Sequence, residues 1–212
     1  MLENNRYTIG FIRHDEKIFD SYLGPSIEKL KGNFDIITTT DEKKPAENYN
    51  EIIKKSPNDF IILTHEDMSF TSDLLERLDL TNKTLNGKWS SIGVVGSDYE
   101  SLHYKNNWSN DQTISECSTL DCCFILINKS QNIKFDTITF DEYHLYVEDY
   151  CLQARERTGL GSFTMLMNSH DTSKESDISH HSATLSKLGA AWGNYASYKI
   201  KLLHKWPNAS TT

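Results

Sequence analysis

Along the first hundred residues, short apolar runs alternate with segments in which apolar residues recur every three or four positions. Short runs rich in Ile, Phe and Thr, such as Phe34–Thr40, indicate strands of a buried sheet. Between these runs, apolar residues spaced three or four positions apart indicate helices that bury one face. This alternation predicts a largely parallel sheet with helices on both sides. The predicted strands are Tyr7–Ile12, Phe34–Thr40, Asp59–Leu63 and Ser91–Gly96, and the predicted helices are Glu16–Lys31, Ala46–Lys55 and one from Ser72 through Leu78.

The second half of the chain is less regular. Residues 97–119 and 170–182 are polar without a clear period, which predicts two loops, and a loop as long as the first is usually functional or mobile. No linker or internal repeat is visible, so we expect a single domain over residues 1–212. The predicted strands of this half are Cys122–Ile127 and Ser162–Met167, and the predicted helices are Asp141–Thr158, which Gly159 ends, and approximately Leu185–His204.

Composition narrows the classes of protein. The 212 residues include 22 basic and 30 acidic side chains, and the net charge of -8 argues against broad contact with nucleic acid or anionic lipid. No apolar run approaches the roughly 18–20 residues of a membrane span, and the first residues lack a signal-peptide pattern. The four cysteines fit no zinc spacing. We therefore expect reduced thiols in a cytoplasmic protein with at most peripheral membrane contact.

A cluster of polar side chains follows the third predicted strand. His65, Glu66 and Asp67 come directly after an apolar run. In open α/β sheets, ligands collect beyond the carboxyl ends of the strands. Carboxylate oxygens at such a position suit a hard divalent cation and the phosphates that it carries. The alternative interpretation is an acidic turn without a ligand.

Two further groups lie where predicted elements begin or end. Glu148 and Asp149 lie near the start of a helix, where acidic residues also suit the helix dipole without any function. His170 follows the strand that starts at Ser162, and a His-His pair, His180 and His181, lies ten residues further on. Histidines in polar loops are more often solvated than bound to a metal.

Several short segments together resemble the family 2-like glycosyltransferases of the GT-A fold. Phe140–Arg155, closing at Gly159, is similar to the acceptor-side motif, in which an aromatic stretch leads into a helix with Glu-Asp, then Leu-x-x-Arg and Gly. His65–Asp67 resembles a variant of the family's Asp-x-Asp motif, with His65 in place of the first Asp. Ala46–Asn50 is similar to a segment upstream of that motif, and Lys205–Pro207 resembles the closing Lys-Trp.

The resemblance implies a single-domain, Rossmann-like GT-A fold with a mixed, mostly parallel sheet. Residues 1–100 would approximately form the nucleotide-binding half, and residues 101–212 the acceptor-side half. It implies a nucleotide-sugar donor with Mn²⁺ or Mg²⁺ on its diphosphate and inversion at the anomeric carbon. The acceptor would be a glycan or lipid-linked saccharide of polysaccharide biosynthesis.

The resemblance also implies roles for individual residues. Asp67 would bind the metal, with His65 or Glu66 facing the ribose or the metal's water shell. Asp149 would be the base that deprotonates the acceptor. Glu148 could raise the pKa of Asp149 by like-charge repulsion, whereas the helix N-terminus would lower it. For a third metal ligand, His170 is favoured by position and His181 by motif. Further candidates are Arg13, Asp41 and Asn50 for the nucleotide, Asp121 for the donor sugar or the acceptor, and Arg155 and Lys205 for phosphate.

Two other functions remain open at this point. The imperfect Asp-x-Asp motif and the short chain motivate a non-catalytic GT-A scaffold that binds a glycan or a partner enzyme. The same carboxylates could also serve a metal-dependent nucleotidyltransferase or phosphoesterase.

Overall fold

A seven-stranded sheet organises the protein in the computed structural model, which describes residues 7–97, 114–165, 178–181 and 191–207. The strands are β1 Tyr7–Arg13, β2 Phe34–Thr40, β3 Phe60–Thr64, β4 Met68–Phe70, β5 Ser91–Gly93, β6 Gly96–Ser97, β7 Glu116–Cys117, β8 Thr119–Leu120, β9 Phe124–Asn128, β10 Ser162–Thr164 and β11 Ile178–His180. The helices are α1 Glu16–Ser21, α2 Leu23–Lys29, α3 Pro45–Lys55, α4 Leu74–Thr84, α5 Tyr146–Thr158 and α6 Ala191–Lys205, with a 3₁₀ turn at Lys129–Gln131.

The order of the large sheet is β2-β1-β3-β9-β5-β10-β7. Strands β2, β1, β3, β5 and β10 run in one direction, while β9 and β7 run against them. The predicted α/β class with a mixed, mostly parallel sheet is therefore confirmed. Two small antiparallel pairs, β4 with β11 and β6 with β8, complete the strands described.

Apolar side chains cover both faces of the sheet. Alternation along β3 sends Ile61 and Leu63 to the side that holds α3 and α5, while Ile62 faces α2 and α4. Gly10 in β1 permits close packing on the first side, because a Cβ there would lie 2.4 Å from Cγ2 of Ile52 in α3. None of the helices in the described ranges is long and apolar enough to cross a bilayer.

The structure differs from the predicted elements at several places. The helix predicted over Glu16–Lys31 is interrupted at Tyr22, whose backbone leaves the helical region (φ -130°, ψ -73°). The strand predicted from Ser91 ends at Gly93, and the strand predicted from Ser162 ends at Thr164. Helix α5 begins at Tyr146 rather than Asp141, because Leu145 before it adopts a left-handed conformation with φ 61°.

Strands β7, β8 and β11 also differ from the prediction, because they begin in stretches predicted to be loops. Strands of two or three residues are too short to show a period, so hydrophobic patterning does not reveal them. The ending of α5 agrees with the prediction, since Gly159 caps it with φ 72°.

Candidate active site

Strand register brings the end of β3 and the start of β9 together. Thr64, the last residue of β3, pairs with Phe124, the first residue of β9, because these strands are antiparallel. Beyond that pair, the backbone N–H of His65 donates to the carbonyl of Cys123 at 3.1 Å. The Asp121 carboxylate in turn accepts from the backbone N–H of Cys123 at 2.9 Å. Residues that follow β3 and residues that precede β9 therefore share one edge of the sheet.

His65, Asp67 and His180 form a group that could hold a metal ion. One potential ligand atom from each lies within 4.8 Å of the other two. Nε2 of His180 is 3.4 Å from Oδ1 of Asp67, and Nδ1 of His65 is 4.0 Å from the same oxygen. The buried Nε2 atoms of His65 and His180 have no hydrogen-bond partner within the described ranges. Two imidazoles and one carboxylate form a donor set suited to a divalent transition metal.

The electrostatic surroundings of the two imidazoles differ. Burial lowers the pKa of His65 to about 4, so this ring is neutral at physiological pH. Burial also acts to lower the pKa of His180, but the adjacent Asp67 carboxylate outweighs it, and the pKa is raised. A neutral imidazole carries the lone pair that binds a metal.

Strand β11 brings His180 to this group. His180 pairs with Met68, the residue after Asp67, in the antiparallel β4–β11 pair. Successive residues of a strand point to opposite faces, so His181 points elsewhere. The Nε2 atom of His181 is 2.8 Å from the Ser69 hydroxyl, and its ring stacks on Tyr22 at 4.1 Å between centroids.

The two sequence candidates for the third ligand therefore have different outcomes. His181 reaches Asp67 only through its backbone N–H, which donates to the Asp67 carbonyl at 3.0 Å. His170 lies outside the described residues. The sequence displayed His180 only as half of a His-His pair, and the register that selects it depends on a strand that patterning did not detect.

Glu66 binds backbone rather than facing the cluster. Its buried carboxylate accepts from the N–H of His14 at 3.0 Å and from the N–H of Asp15 at 2.9 Å. Burial raises the pKa of Glu66, and these two hydrogen bonds oppose the shift. Glu66 thus holds the turn between β1 and α1 in position.

That turn reaches both halves of the chain. Nδ1 of His14 is 3.3 Å from the Asp41 carboxylate beyond the end of β2, and its Nε2 is 2.8 Å from the Tyr143 hydroxyl before α5. Arg13 lies over the ring of Phe19, with its guanidinium carbon 3.9 Å from the centroid. Arg13 and Asp41 therefore lie at the carboxyl ends of neighbouring strands, and their contact with a nucleotide stays a prediction.

Asn50 does not join this group. Its side-chain amide donates to the carbonyl of Phe135 at 2.9 Å and accepts from the N–H of Phe135 at 3.0 Å. The structure thus shows Asn50 connecting α3 to the segment before α5, and a contact with nucleotide stays a prediction. The basic candidates are also engaged: Arg155 pairs with Glu116, and Lys205 lies on Asp149.

Asp149 is completely buried in a network that ties α5 to the end of α6. Oδ1 accepts from the indole N–H of Trp206 at 2.7 Å and lies 2.9 Å from the Lys205 ammonium. Oδ2 accepts from Gln153 at 2.7 Å and from Lys205 at 3.0 Å. Burial raises the pKa of Asp149, and the contacts with Lys205 and Trp206 oppose the shift.

Glu148 has different surroundings. It is half-buried, and its buried Oε2 atom has no hydrogen-bond partner in the part of the chain that the structure describes. Burial, followed by the Asp121 charge, raises its pKa to about 8. The Asp121 charge also acts on His65 and His180, so this exposed carboxylate is close enough to influence both groups. For both residues of the pair, burial is the largest cause of the raised pKa.

No protein-family model and no curated protein sequence matches this chain. Solved structures do. The mannosyltransferase PcManGT from Pyrobaculum calidifontis, in complex with GDP-Man and Mn²⁺, superposes with a TM-score of 0.54 at 10% identity, over 77% of this chain and 55% of that protein. The fold is that of GT-A-type glycosyltransferases.

S. aureus TarS, a second structure of similar fold, gives the same result. Residues 1–349 of TarS in complex with UDP match with a TM-score of 0.54 at 10% identity, over 76% of this chain and 60% of that one. The complex with UDP-GlcNAc matches with a TM-score of 0.51 at 12% identity, over 84% and 61%. The chain therefore spans less than two thirds of each of these neighbours. The predicted resemblance is confirmed at the level of the fold.

Proposed function

We propose that this protein is a metal-dependent glycosyltransferase that uses a nucleotide-sugar donor. The supporting observation is the cluster of His65, Asp67 and His180 at the carboxyl end of β3, with the charge of Asp121 acting both on this cluster and on Glu148. In a fold shared with proteins bound to GDP-Man with Mn²⁺ or to UDP-GlcNAc, such a cluster is suited to a donor's diphosphate.

The donor set favours Mn²⁺ over Mg²⁺. Mg²⁺ prefers oxygen ligands and keeps most of its waters, whereas imidazole nitrogen is a better ligand for later divalent metals. His65, Asp67 and His180 would hold the ion. When bound, it supplies Lewis-acid neutralisation of the charge that develops on a diphosphate leaving group.

The chain's own residues have separate tasks in this proposal. His14 lies in the turn that Glu66 holds, and its ring contacts Asp41 beyond β2. Both residues would contact the nucleoside. Asp121 would contact the donor sugar or the acceptor. The acceptor hydroxyl would attack the anomeric carbon from the side opposite the leaving group, which gives inversion. A carboxylate at the start of α5 would accept the proton of this hydroxyl. The acceptor would be a glycan or a lipid-linked saccharide.

A non-catalytic scaffold is the second candidate, and one observation favours it. Asp149, the base that the sequence resemblance implies, is already bound by Gln153, Lys205 and Trp206. A scaffold of this kind would bind a nucleotide or a glycan without releasing product.

Thermal shift and product release together test the proposal. We expect UDP or GDP with Mn²⁺ to raise the melting temperature, and slow hydrolysis of UDP-GlcNAc or GDP-Man to release the nucleoside diphosphate. Asp67→Asn should abolish the Mn²⁺-dependent part of the shift, while Asp20→Asn, at an exposed position on α1, should retain it. Binding without hydrolysis of any nucleotide sugar would support the scaffold. The absence of any shift with a panel of nucleoside diphosphates would count against both functions.

A further inference from the structure

We infer that Glu148, and not Asp149, accepts the proton of the attacking hydroxyl, and that Asp149 is a positioning residue that ties α5 to the end of α6. The inference rests on the proposed function and assigns one step of it. It departs from the sequence resemblance, which implies Asp149 as the base.

The Asp149 carboxylate has little capacity to accept a further hydrogen bond. A carboxylate offers about four acceptor positions on its two oxygens. At Asp149, Oδ1 has Trp206 and Lys205 as partners, and Oδ2 has Gln153 and Lys205. Three hydrogen bonds and one ion-pair contact thus occupy the two oxygens, and an incoming hydroxyl would have to compete with the charged Lys205. The side chain of Asp149 is also completely buried, whereas that of Glu148 is partly exposed.

The Glu148 carboxylate, by contrast, has an oxygen without a hydrogen-bond partner in the described part of the chain. Neighbouring residues of a helix point about 100° apart, so the partners of Asp149 do not serve Glu148. This oxygen, Oε2, is buried. Leaving a buried carboxylate oxygen unpaired costs free energy, and a catalytic role, in which a substrate completes the hydrogen bond, explains such an atom.

The charges around Glu148 and Asp149 also favour Glu148 as the base. The groups that act on Glu148 are Asp121, from the segment before β9, and Asp149 on its own helix, while the thiols of Cys122 and Cys151 lie within range of its charge. Both carboxylates raise the affinity of Glu148 for a proton. A general base is most efficient when its pKa lies near the operating pH. Lys205, by contrast, lies against both oxygens of Asp149 and favours its ionised, less basic form.

The transfer step balances with Glu148 in this role. A lone pair of the acceptor hydroxyl oxygen forms the new bond to the anomeric carbon, and the hydroxyl proton passes to Oε2 of Glu148. The bond between the anomeric carbon and the diphosphate oxygen breaks, and its electron pair leaves with the nucleoside diphosphate. In the absence of a sugar acceptor, water takes the place of the hydroxyl.

Two isosteric variants separate the roles. Glu148→Gln should keep the Mn²⁺-dependent thermal shift with UDP or GDP, yet lose about 10²–10⁴-fold in hydrolysis of UDP-GlcNAc or GDP-Man. Asp149→Asn should melt at a lower temperature, but below that temperature each folded molecule should retain hydrolysis within about tenfold of the natural protein.

The pH profile provides a measurement that a purely structural role would not affect. With saturating Mn²⁺, the hydrolysis rate of the natural protein should rise with pH and level off above about pH 8, the pKa of Glu148. Asp121→Asn should move the midpoint to lower pH, because it removes a negative charge that acts on Glu148. Asp149→Asn should lower the midpoint less than Asp121→Asn does, because Asp149 acts more weakly on Glu148. Added formate should restore part of the rate of Glu148→Ala.

Each outcome bears on a specific claim. Hydrolysis retained by Glu148→Gln, or lost only by a folded, donor-binding Asp149→Asn, overturns the assignment but leaves the glycosyltransferase proposal intact. A natural protein that binds no nucleoside diphosphate, or binds one without hydrolysing any nucleotide sugar, overturns the proposed function and this inference with it. Loss of hydrolysis in Glu148→Gln, combined with formate rescue of Glu148→Ala, supports the assignment.

Discussion

Two regions of the protein each present a pair of neighbouring acidic residues, and the two pairs divide their work in opposite order. After β3, the first residue, Glu66, binds backbone, and the second, Asp67, faces the imidazoles of the cluster. At the start of α5 the second residue, Asp149, is bound by protein groups, and the first, Glu148, is left with an unpaired oxygen. Adjacent carboxylates are therefore not equivalent, and residues remote in sequence decide which one remains for a ligand.

The partners of the two bound carboxylates also differ in strength. Glu66 accepts from two neutral backbone N–H groups, while Asp149 accepts from the Lys205 ammonium as well as from neutral donors. Hydrogen bonds to a charged partner are stronger, and removing one side of a buried ion pair is costly. The comparison therefore predicts a larger loss of stability at α5 than after β3.

The largest effect is expected for Asp149→Asn. This substitution should lower the free energy of unfolding by about 3 kcal/mol, because it leaves the Lys205 ammonium with one carboxylate instead of two. Urea titration followed by circular dichroism measures the change. Asp136→Asn, which removes the more exposed partner of Lys205, is the matched control and should cost about 1 kcal/mol. Equal losses in the two variants would contradict the central place of Asp149.

The second effect concerns metal affinity. His180→Ala should weaken Mn²⁺ binding about 100-fold, or about 2.7 kcal/mol, because it removes one of three ligands of the proposed site. His181→Ala is the matched control on the same strand end and should change the affinity less than about threefold, since that ring contacts Ser69 and Tyr22. Titration calorimetry with Mn²⁺ measures both. A larger loss in the control would restore His181 as the ligand that the sequence motif favoured.

Some of these features can be predicted from the sequence, and others cannot. Short apolar runs and helical spacing of apolar residues predict the α/β class and the order of the long elements, because each long element carries its own signal. The sequence indicates Asp67 as a candidate because it lies three residues after the end of β3, at the carboxyl edge of the sheet. The selection of His180 depends on a three-residue strand, and the roles of Glu148 and Asp149 depend on Lys205 and Trp206, about fifty residues further along the chain. Such pairings leave no local pattern.

The third effect is smaller. Glu66→Gln should cost about 1.5 kcal/mol, because a neutral amide accepts more weakly than a carboxylate and offers only one acceptor oxygen to two N–H groups. Hydrogen exchange gives the sharper measurement, since the amides of His14 and Asp15 should exchange faster. Asp41→Asn, at an exposed position beyond β2, should not change these amides. Unchanged protection in Glu66→Gln would show that the turn after β1 is held by other contacts.

The smallest effect is a pH-dependent gain of stability in Glu148→Gln. The pKa of Glu148 is about 8 in the folded state against 4.5 for an ordinary glutamate, so the folded protein binds an extra proton between these values. The resulting stabilisation is complete below pH 4.5 and is lost as the pH rises through 8. The variant has no charge to bury, so its stability relative to the natural protein should increase by about 1 kcal/mol between pH 6 and pH 7. Melting temperatures with EDTA at the two pH values measure this, with Glu156→Gln, exposed on the same helix, as the control. A difference between variant and natural protein that stays constant with pH would mean that Glu148 is solvated in the folded state. The raised pKa would then no longer support Glu148 as the base. The hydrogen bonds that Asp149 accepts would be unaffected by this result.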